Sequence, residues 1–125
     1  MDAVLEGKYL AEFHLNIMVR VIVCGMRHMP AETTEKLADL TWRYKAQGVA
    51  GFDLAGPEDG FSATIHKSAF DIVRNHCISC TLHSGEASGA ASVHHSIRDC
   101  GANRIGHGVR MREDPELVEH VVNQR

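Results

Sequence analysis

The sequence has no long apolar run, little net charge and no low-complexity tract, and each absence excludes a class of protein. No stretch of its 125 residues approaches the roughly 18 consecutive apolar residues that a membrane span needs. A formal net charge of −3 gives no electrostatic reason to expect a nucleic acid or an anionic membrane as partner. The first residues lack a basic segment followed by an apolar one, so we expect no signal peptide and a cytoplasmic protein.

Nucleotide-binding and zinc-finger signatures are missing as well. No glycine-rich fingerprint of a Rossmann or P-loop site occurs in the chain. The four cysteines lie in a chain without an export signal, so free thiols are expected. Cys77 and Cys80 form a single CxxC pair, which leaves a structural or redox metal site open. Burial of both as small apolar residues is the simpler interpretation, because no second pair accompanies them.

What the chain does contain is a regular alternation of apolar and amphipathic segments. Apolar runs predict four strands, at 19–25, 49–54, 78–82 and 103–105. Helical spacing predicts a first helix at 3–14, with Val4, Leu5, Leu10 and Phe13 on its apolar side. A second helix is predicted to start at Pro30 and Thr33 or Thr34 and to stop at Gly48, and a third to follow the cap Ser62. Two more are predicted at 90–100 and after Asp114-Pro115. The strands end 23 to 29 residues apart. This interval is typical of βα units around a parallel sheet.

Two architectures fit four such units. One is a small open sheet covered by helices, and the other is part of a (β/α)8 barrel, of which a complete copy needs roughly 250 residues. Polar, glycine-rich segments follow every predicted strand, and functional groups at successive strand ends are typical of catalytic barrel faces. We therefore predict an α/β fold over residues 1–125, a partial (β/α)8 TIM barrel of about four parallel strands with alternating helices.

Two of these strand-end segments, Thr81–Glu86 and Arg104–Gly108, combine ionisable side chains with glycines. His83 and His107 lie 24 residues apart, about one strand–helix unit, so we expect them and Glu86 to converge on one cavity. Neutral imidazole is a good zinc ligand, and a carboxyl group in a dry pocket can donate a proton. His107 could bind the metal or orient its water. The pattern predicts a metal-assisted hydrolytic site.

Other polar residues near the strand ends have less definite roles. Asp53 either supports a histidine or ligand from behind or caps a turn, and Gly56 either donates its amide to a close ligand or forms a plain turn. Glu58 and Asp59 are expected to form a solvated cluster at a helix start, and Arg104 to form an ion pair near the base of its strand. No partner or role is predicted for Arg27-His28, His14, His66, His76 or His120, and His94 and His95 are expected at the surface.

The strand-end segments resemble adenosine deaminases of the metal-dependent amidohydrolase superfamily. The residues that carry the resemblance are Met26-Arg27-His28, Asp53-Leu54-Ala55-Gly56, Thr81-Leu82-His83-Ser84-Gly85-Glu86 and Arg104-Ile105-Gly106-His107-Gly108. The resemblance covers essentially the whole chain. It implies a (β/α)8 barrel with one zinc ion, of which this chain supplies strands three to six.

The resemblance also implies roles for four residues and a reaction. His83 is similar to the family's metal ligand on the fifth strand, and Glu86 to the acid that protonates the purine ring nitrogen beside the attacked carbon. His107 would position and polarise the metal-bound hydroxide, and the Gly56 amide would bind the purine ring. The implied reaction is zinc-activated hydrolytic loss of the 6-amino group of adenosine or deoxyadenosine, giving inosine or deoxyinosine and ammonia.

The family takes further zinc ligands from a His-x-His motif and an Asp-Asp pair, and neither occurs here. We therefore expect an incomplete zinc site, and no deamination by the isolated chain. Two alternatives stay open. One is a non-catalytic half-barrel remnant or interaction protein that self-associates through exposed sheet edges. The other is a deaminase for adenine or another 6-aminopurine nucleoside.

Overall fold

A four-stranded parallel sheet organises the chain, as seen in a computed structural model that describes residues 1–124. Its strands lie side by side in chain order, each paired in parallel with the next. The strands are β1 (Val21–Met26), β2 (Val49–Ala55), β3 (Ser79–Ser84) and β4 (Arg104–His107). Because all four run in one direction, their carboxyl ends and the loops that follow them meet at one edge of the sheet.

Within residues 1–124 five α-helices accompany this sheet, one before β1 and one after each strand. They are α1 (Asp2–Leu15), α2 (Ala31–Arg43), α3 (Lys67–Asn75), α4 (Ala90–Arg98) and α5 (Pro115–Asn123). The start of α5 is the one predicted, because the Asp114 carboxylate accepts the amides of Glu116 and Leu117 ahead of the first turn. Within residues 1–124 no helix is both long and apolar enough to cross a membrane.

The hydrophobic core lies between the sheet and its helices. Phe52 and Leu54 of β2 and Leu82 of β3 point to this side, and all three are fully buried. Phe70 of α3 packs edge-on against Phe52, with ring centroids 5.5 Å apart. Since side chains alternate along a strand, Asp53 and His83 point to the opposite face. That face is the one that carries the candidate site, and it stays partly exposed in the part of the chain described.

Several predicted boundaries and faces differ from the structure. β1 begins two residues later than predicted, and β4 extends to His107, which therefore ends a strand and does not follow one. Ser62 caps a short 3-10 helix (Ala63–His66), and α3 begins only after it. On α1 only Leu5 of the predicted apolar side is buried, because the core contacts the helix there; the remaining members are exposed, namely Val4, Leu10 and Phe13.

Candidate active site

The ends of β3 and β4 bring the three predicted site residues together. His83 pairs in register with Gly106, and the neighbouring Ser84 pairs with His107. The two imidazole ring centroids lie 5.2 Å apart, with their planes at 59°. Oε2 of Glu86 lies 3.4 Å from Nε2 of His107. Two imidazoles and one carboxyl group therefore lie together at the ends of β3 and β4, and their predicted catalytic and metal-binding roles stay predictions.

The His83 ring is held in place by two neighbours, the Asp53 carboxylate at Nδ1 and the backbone of Gly106 against the ring. Its Nδ1 lies 3.1 Å from Oδ1 of Asp53, whose side chain is only 15% exposed. A carboxylate at one ring nitrogen favours one tautomer and orientation of the ring, so Asp53 supports His83. The same Oδ1 also accepts the backbone amide of Leu54 at 2.7 Å. Gly106 lies under the ring, and a Cβ atom there would come within 3.3 Å of Cγ of His83. Nε2 of His83 makes no hydrogen bond within residues 1–124.

His107 adopts a backbone conformation that few residues other than glycine tolerate. Its φ is 64°, in the left-handed region, where a side chain costs about 1–3 kcal/mol. Gly108 follows with the same φ, and its amide donates a hydrogen bond of 2.9 Å to the carbonyl of Ser84. The bond ties the turn after β4 to the end of β3. Strained backbone of this kind occurs preferentially at functional sites.

Glu58 holds the loop that carries Glu86, and the expectation that it is solvated is wrong. The residue is only 8% exposed, and its carboxylate accepts the amides of residues 85–88 at 2.6–3.0 Å, together with the hydroxyl of Ser92. Burial acts to raise the pKa of Glu58, but the hydrogen bonds from Ser92 and the loop amides outweigh it and lower the pKa. Nothing in the local sequence distinguishes Glu58 from the exposed Asp59.

Arg27 is a second buried charged residue that sequence reasoning missed. It is 2% exposed, and its guanidinium donates to the carbonyls of Phe61 (2.8 Å) and His83 (2.7 Å). Burial lowers the pKa of Arg27, while the negative charge of Glu58 acts in the opposite direction. The carbonyl of Arg27 lies 3.0 Å from Nε2 of the fully buried His66, so the expectation that His66 has no partner is also wrong. The one available signal was an arginine placed directly after a strand that its apolar residues predicted to be buried.

Gly56 lies just beyond β2, where only glycine fits. Its φ is 97°, and a Cβ atom there would lie 3.2 Å from Cε of Met26 and 3.4 Å from the amide nitrogen of Arg27. The backbone can therefore approach a ligand closely at this strand end. Its predicted role in binding a purine stays a prediction.

The remaining candidates lie outside this cluster. Cys77 is exposed and Cys80 is buried, so the expectation that both are buried is wrong for Cys77. His94 is partly buried and contacts Asp114 at 2.8 Å, which corrects the expectation that it is a plain surface residue. Arg104 is exposed and forms no ion pair within residues 1–124, contrary to the prediction.

The fit to a metal ion is partial. The Asp53 carboxylate at Nδ1 of His83 is the kind of partner that metal-binding histidines usually have. Yet among residues 1–124 no three His, Cys, Asp or Glu side chains are grouped closely enough to hold an ion. This chain thus contains one well-supported candidate ligand, fewer than the three that a catalytic zinc site usually takes from its protein.

The family model for adenosine deaminase matches residues 1–125. The chain belongs to the adenosine deaminase family. It is 54% identical over 125 residues to a protein of Dictyostelium discoideum named "Probable adenosine deaminase". It is 43% identical over 123 residues to the adenosine deaminase of Mycobacterium avium. The chain spans 16% of the Dictyostelium protein and 33% of the mycobacterial one, so it corresponds to a portion of these relatives.

Solved structures share the fold at lower sequence identity. An amidohydrolase from Burkholderia ambifaria with bound zinc superimposes on this chain with a TM-score of 0.92 at 21% sequence identity. The match covers 98% of this chain and 34% of the amidohydrolase. The adenine deaminase of Arthrobacter aurescens superimposes with a TM-score of 0.84 at 20% sequence identity, and the match covers 97% of this chain and 37% of the adenine deaminase. The predicted fold, parallel strands with alternating helices as in part of a (β/α)8 barrel, is confirmed.

Proposed function

We propose that this chain forms part of a zinc-dependent adenosine deaminase. The enzyme would hydrolyse adenosine or deoxyadenosine at the 6-amino position, giving inosine or deoxyinosine and ammonia. The observation that carries the proposal is the meeting of His83, Glu86 and His107 at adjacent strand ends, with Asp53 bound to His83. Family membership supports the choice of substrate class.

In this proposal His83 would be a ligand of the zinc ion, and residues outside this chain would supply the other ligands. Bound zinc would act as a Lewis acid that makes water nucleophilic at neutral pH. Asp53 would accept a hydrogen bond from Nδ1 of His83, which leaves the other ring nitrogen free for the ion. The 3.1 Å contact between the two side chains supports this assignment.

Glu86, His107 and Gly56 act on the substrate and the attacking water. The carboxyl group of Glu86 would protonate the ring nitrogen beside the attacked carbon, so that negative charge does not build up on the purine. His107 would hydrogen-bond the water and direct it to that carbon. The 3.4 Å contact between His107 and Glu86 supports a shared reaction centre. The Gly56 amide would hold the purine from the end of β2.

Inosine formation by the complete enzyme that carries this chain tests the proposal. We expect Glu86→Gln to lower kcat about 10²- to 10⁴-fold, because the amide cannot donate the proton. His83→Ala should also lower the bound zinc measured by atomic absorption. Glu119→Gln, at an exposed position of α5, is the matched control and should keep wild-type activity. A Glu86→Gln enzyme with wild-type kcat would refute the assignment, and the isolated 125 residues should show no turnover.

The choice among 6-aminopurines needs a separate measurement. The fold is shared with an adenine deaminase and, at a TM-score of 0.77, with an N6-methyl-AMP deaminase from Arabidopsis thaliana. We propose adenosine because the curated relatives with 43% to 54% identity are named adenosine deaminases. A kcat/KM for adenine above that for adenosine would replace this substrate with the free base.

Self-association is a second candidate activity, for the chain on its own. Within residues 1–124 β1 and β4 are the edges of the sheet, and unpaired edges promote pairing between chains. Ile22 on β1 and Phe13 on α1 are 56% and 83% exposed. We propose that the isolated chain forms dimers or larger species. Sedimentation of the isolated chain as a stable monomer would refute this proposal.

The cytoplasmic location of the protein stays a prediction.

A further inference from the structure

We propose that Glu58 is a positioning residue, whose carboxylate fixes the backbone of the loop that carries Glu86. This inference rests on the proposed function only for the role of Glu86; the anchoring itself is independent of it. No part of the strand-end sequence pattern assigned a task to Glu58.

The first argument is the number of donors that converge on one buried carboxylate. Four consecutive amides, those of residues 85–88, donate to it, and the Ser92 hydroxyl donates as well. Five donors satisfy both oxygens of an ionised carboxylate, which accepts but does not donate. A residue that is 8% exposed and bonded in this way is rigid, and it makes the loop rigid with it.

The second argument is the position of the amide groups. One of the four belongs to Glu86 itself, at 3.0 Å, so Glu58 holds the backbone from which the Glu86 side chain projects. The Glu86 side chain is 64% exposed, and its Oε2 lies 3.4 Å from Nε2 of His107. The loop backbone held by Glu58 sets the point from which this side chain reaches His107.

The third argument is that the loop is held from the other side too. The amide of Arg110, in the turn after β4, donates to the carbonyl of Gly85 at 2.8 Å, and its guanidinium donates to the carbonyl of Ala87 at 2.6 Å. Glu58 thus accepts hydrogen bonds from the amides of the loop, while Arg110 donates hydrogen bonds to its carbonyls. Arg27 holds the carbonyl of His83, at 2.7 Å, just before the loop begins. Together these contacts fix His83 and Glu86 relative to each other.

Hydrogen exchange and kinetics on the complete enzyme test the proposal. The variant is Glu58→Gln, which keeps the size but removes the charge and one acceptor; Asp59→Asn is the matched exposed control. We expect amide protection at 85–88 to fall about tenfold or more while α3 stays protected. We expect kcat to fall roughly 10- to 100-fold through misplacement of Glu86, with KM and zinc content nearly unchanged. Glu58→Asp should recover part of the loss.

The other possible outcomes overturn the proposal, except that a second variant is available if Glu58→Gln does not fold. Unchanged protection at 85–88 overturns the anchoring, and lost protection with wild-type kcat overturns the positioning of Glu86. Equal loss of protection in the loop and in α3 means a general structural role and also overturns it. If Glu58→Gln does not fold, Ser92→Ala removes one donor to the same carboxylate, and it must show a smaller effect confined to the loop. If the wild-type enzyme deaminates no purine, the proposed function fails, but the exchange data still decide the anchoring.

Discussion

Replacing Arg27 by Met should be among the most destabilising single changes in this chain. The guanidinium is 2% exposed and makes two charged hydrogen bonds, to the carbonyls of Phe61 and His83. Hydrogen bonds to charged groups are worth about 1.5–3 kcal/mol each, and breaking a buried charged network costs about 3–5 kcal/mol. Met fills similar volume but leaves both carbonyls without their donor. We therefore expect a loss of about 3–5 kcal/mol in the free energy of unfolding.

Urea unfolding of the protein followed by circular dichroism measures this loss. The urea midpoint should fall by at least about 1 M, given the usual dependence of stability on urea. Arg27→Lys keeps the charge but can reach only one of the two carbonyls, so its midpoint should lie in between. Arg43→Met is the control, since Arg43 is 69% exposed and pairs with Asp39 on the surface of α2; its midpoint should hardly move. A loss below about 1 kcal/mol for Arg27→Met would refute the view that this network holds the strand ends together.

Three further predictions follow from the core and the buried carboxylate. Phe70→Ala should lower the free energy of unfolding by about 3–5 kcal/mol, because the ring is fully buried. A free energy of unfolding, obtained from the urea curve, within about 1 kcal/mol of the wild-type value would contradict this. A thiol reagent should modify exposed Cys77 quickly and Cys100 only after unfolding, since burial raises the pKa of Cys100 to about 11; equal rates would exclude this. The pKa of Glu58 is lowered by folding, so its stabilisation is complete above its ordinary value of 4.5 and is lost as the pH falls through the folded value. The difference in urea midpoint between wild type and Glu58→Gln should accordingly shrink in acid, and a constant difference would contradict the assignment.

The candidate site could be predicted in part because its chemistry follows local signals. His83 and His107 each end an apolar run close to a glycine, Gly85 for His83 and Gly106 and Gly108 for His107, and one strand–helix unit separates them. In a parallel sheet this spacing is sufficient to place both at one edge. The role of Asp53 was one of two open alternatives, because its partner lies 30 residues away on the neighbouring strand. Register decides such a contact, and single-strand patterns carry no register.

The supporting residues were missed for the same physical reason. Glu58 and Asp59 are adjacent acidic residues, yet one is buried under the amides of residues 85–88 and the other is exposed. Hydropathy predicts exposure for both, since a carboxylate enters the interior only where donors compensate its lost hydration. Those donors come from a loop 27 to 30 residues further along the chain. A local pattern cannot report a partner at that distance.

The sequence by itself determined the alternation of strands and helices, the start of α5 at Asp114 and the edge at which the reactive side chains collect, because these depend on residues close together in the chain. Only the tertiary structure decided that Arg27 reaches the carbonyl of His83, 56 residues away, and that Glu58 is the carboxylate that holds the loop of Glu86. Burial of a charge depends on which donors and acceptors the folded strands bring to it, and that is a property of the assembled sheet.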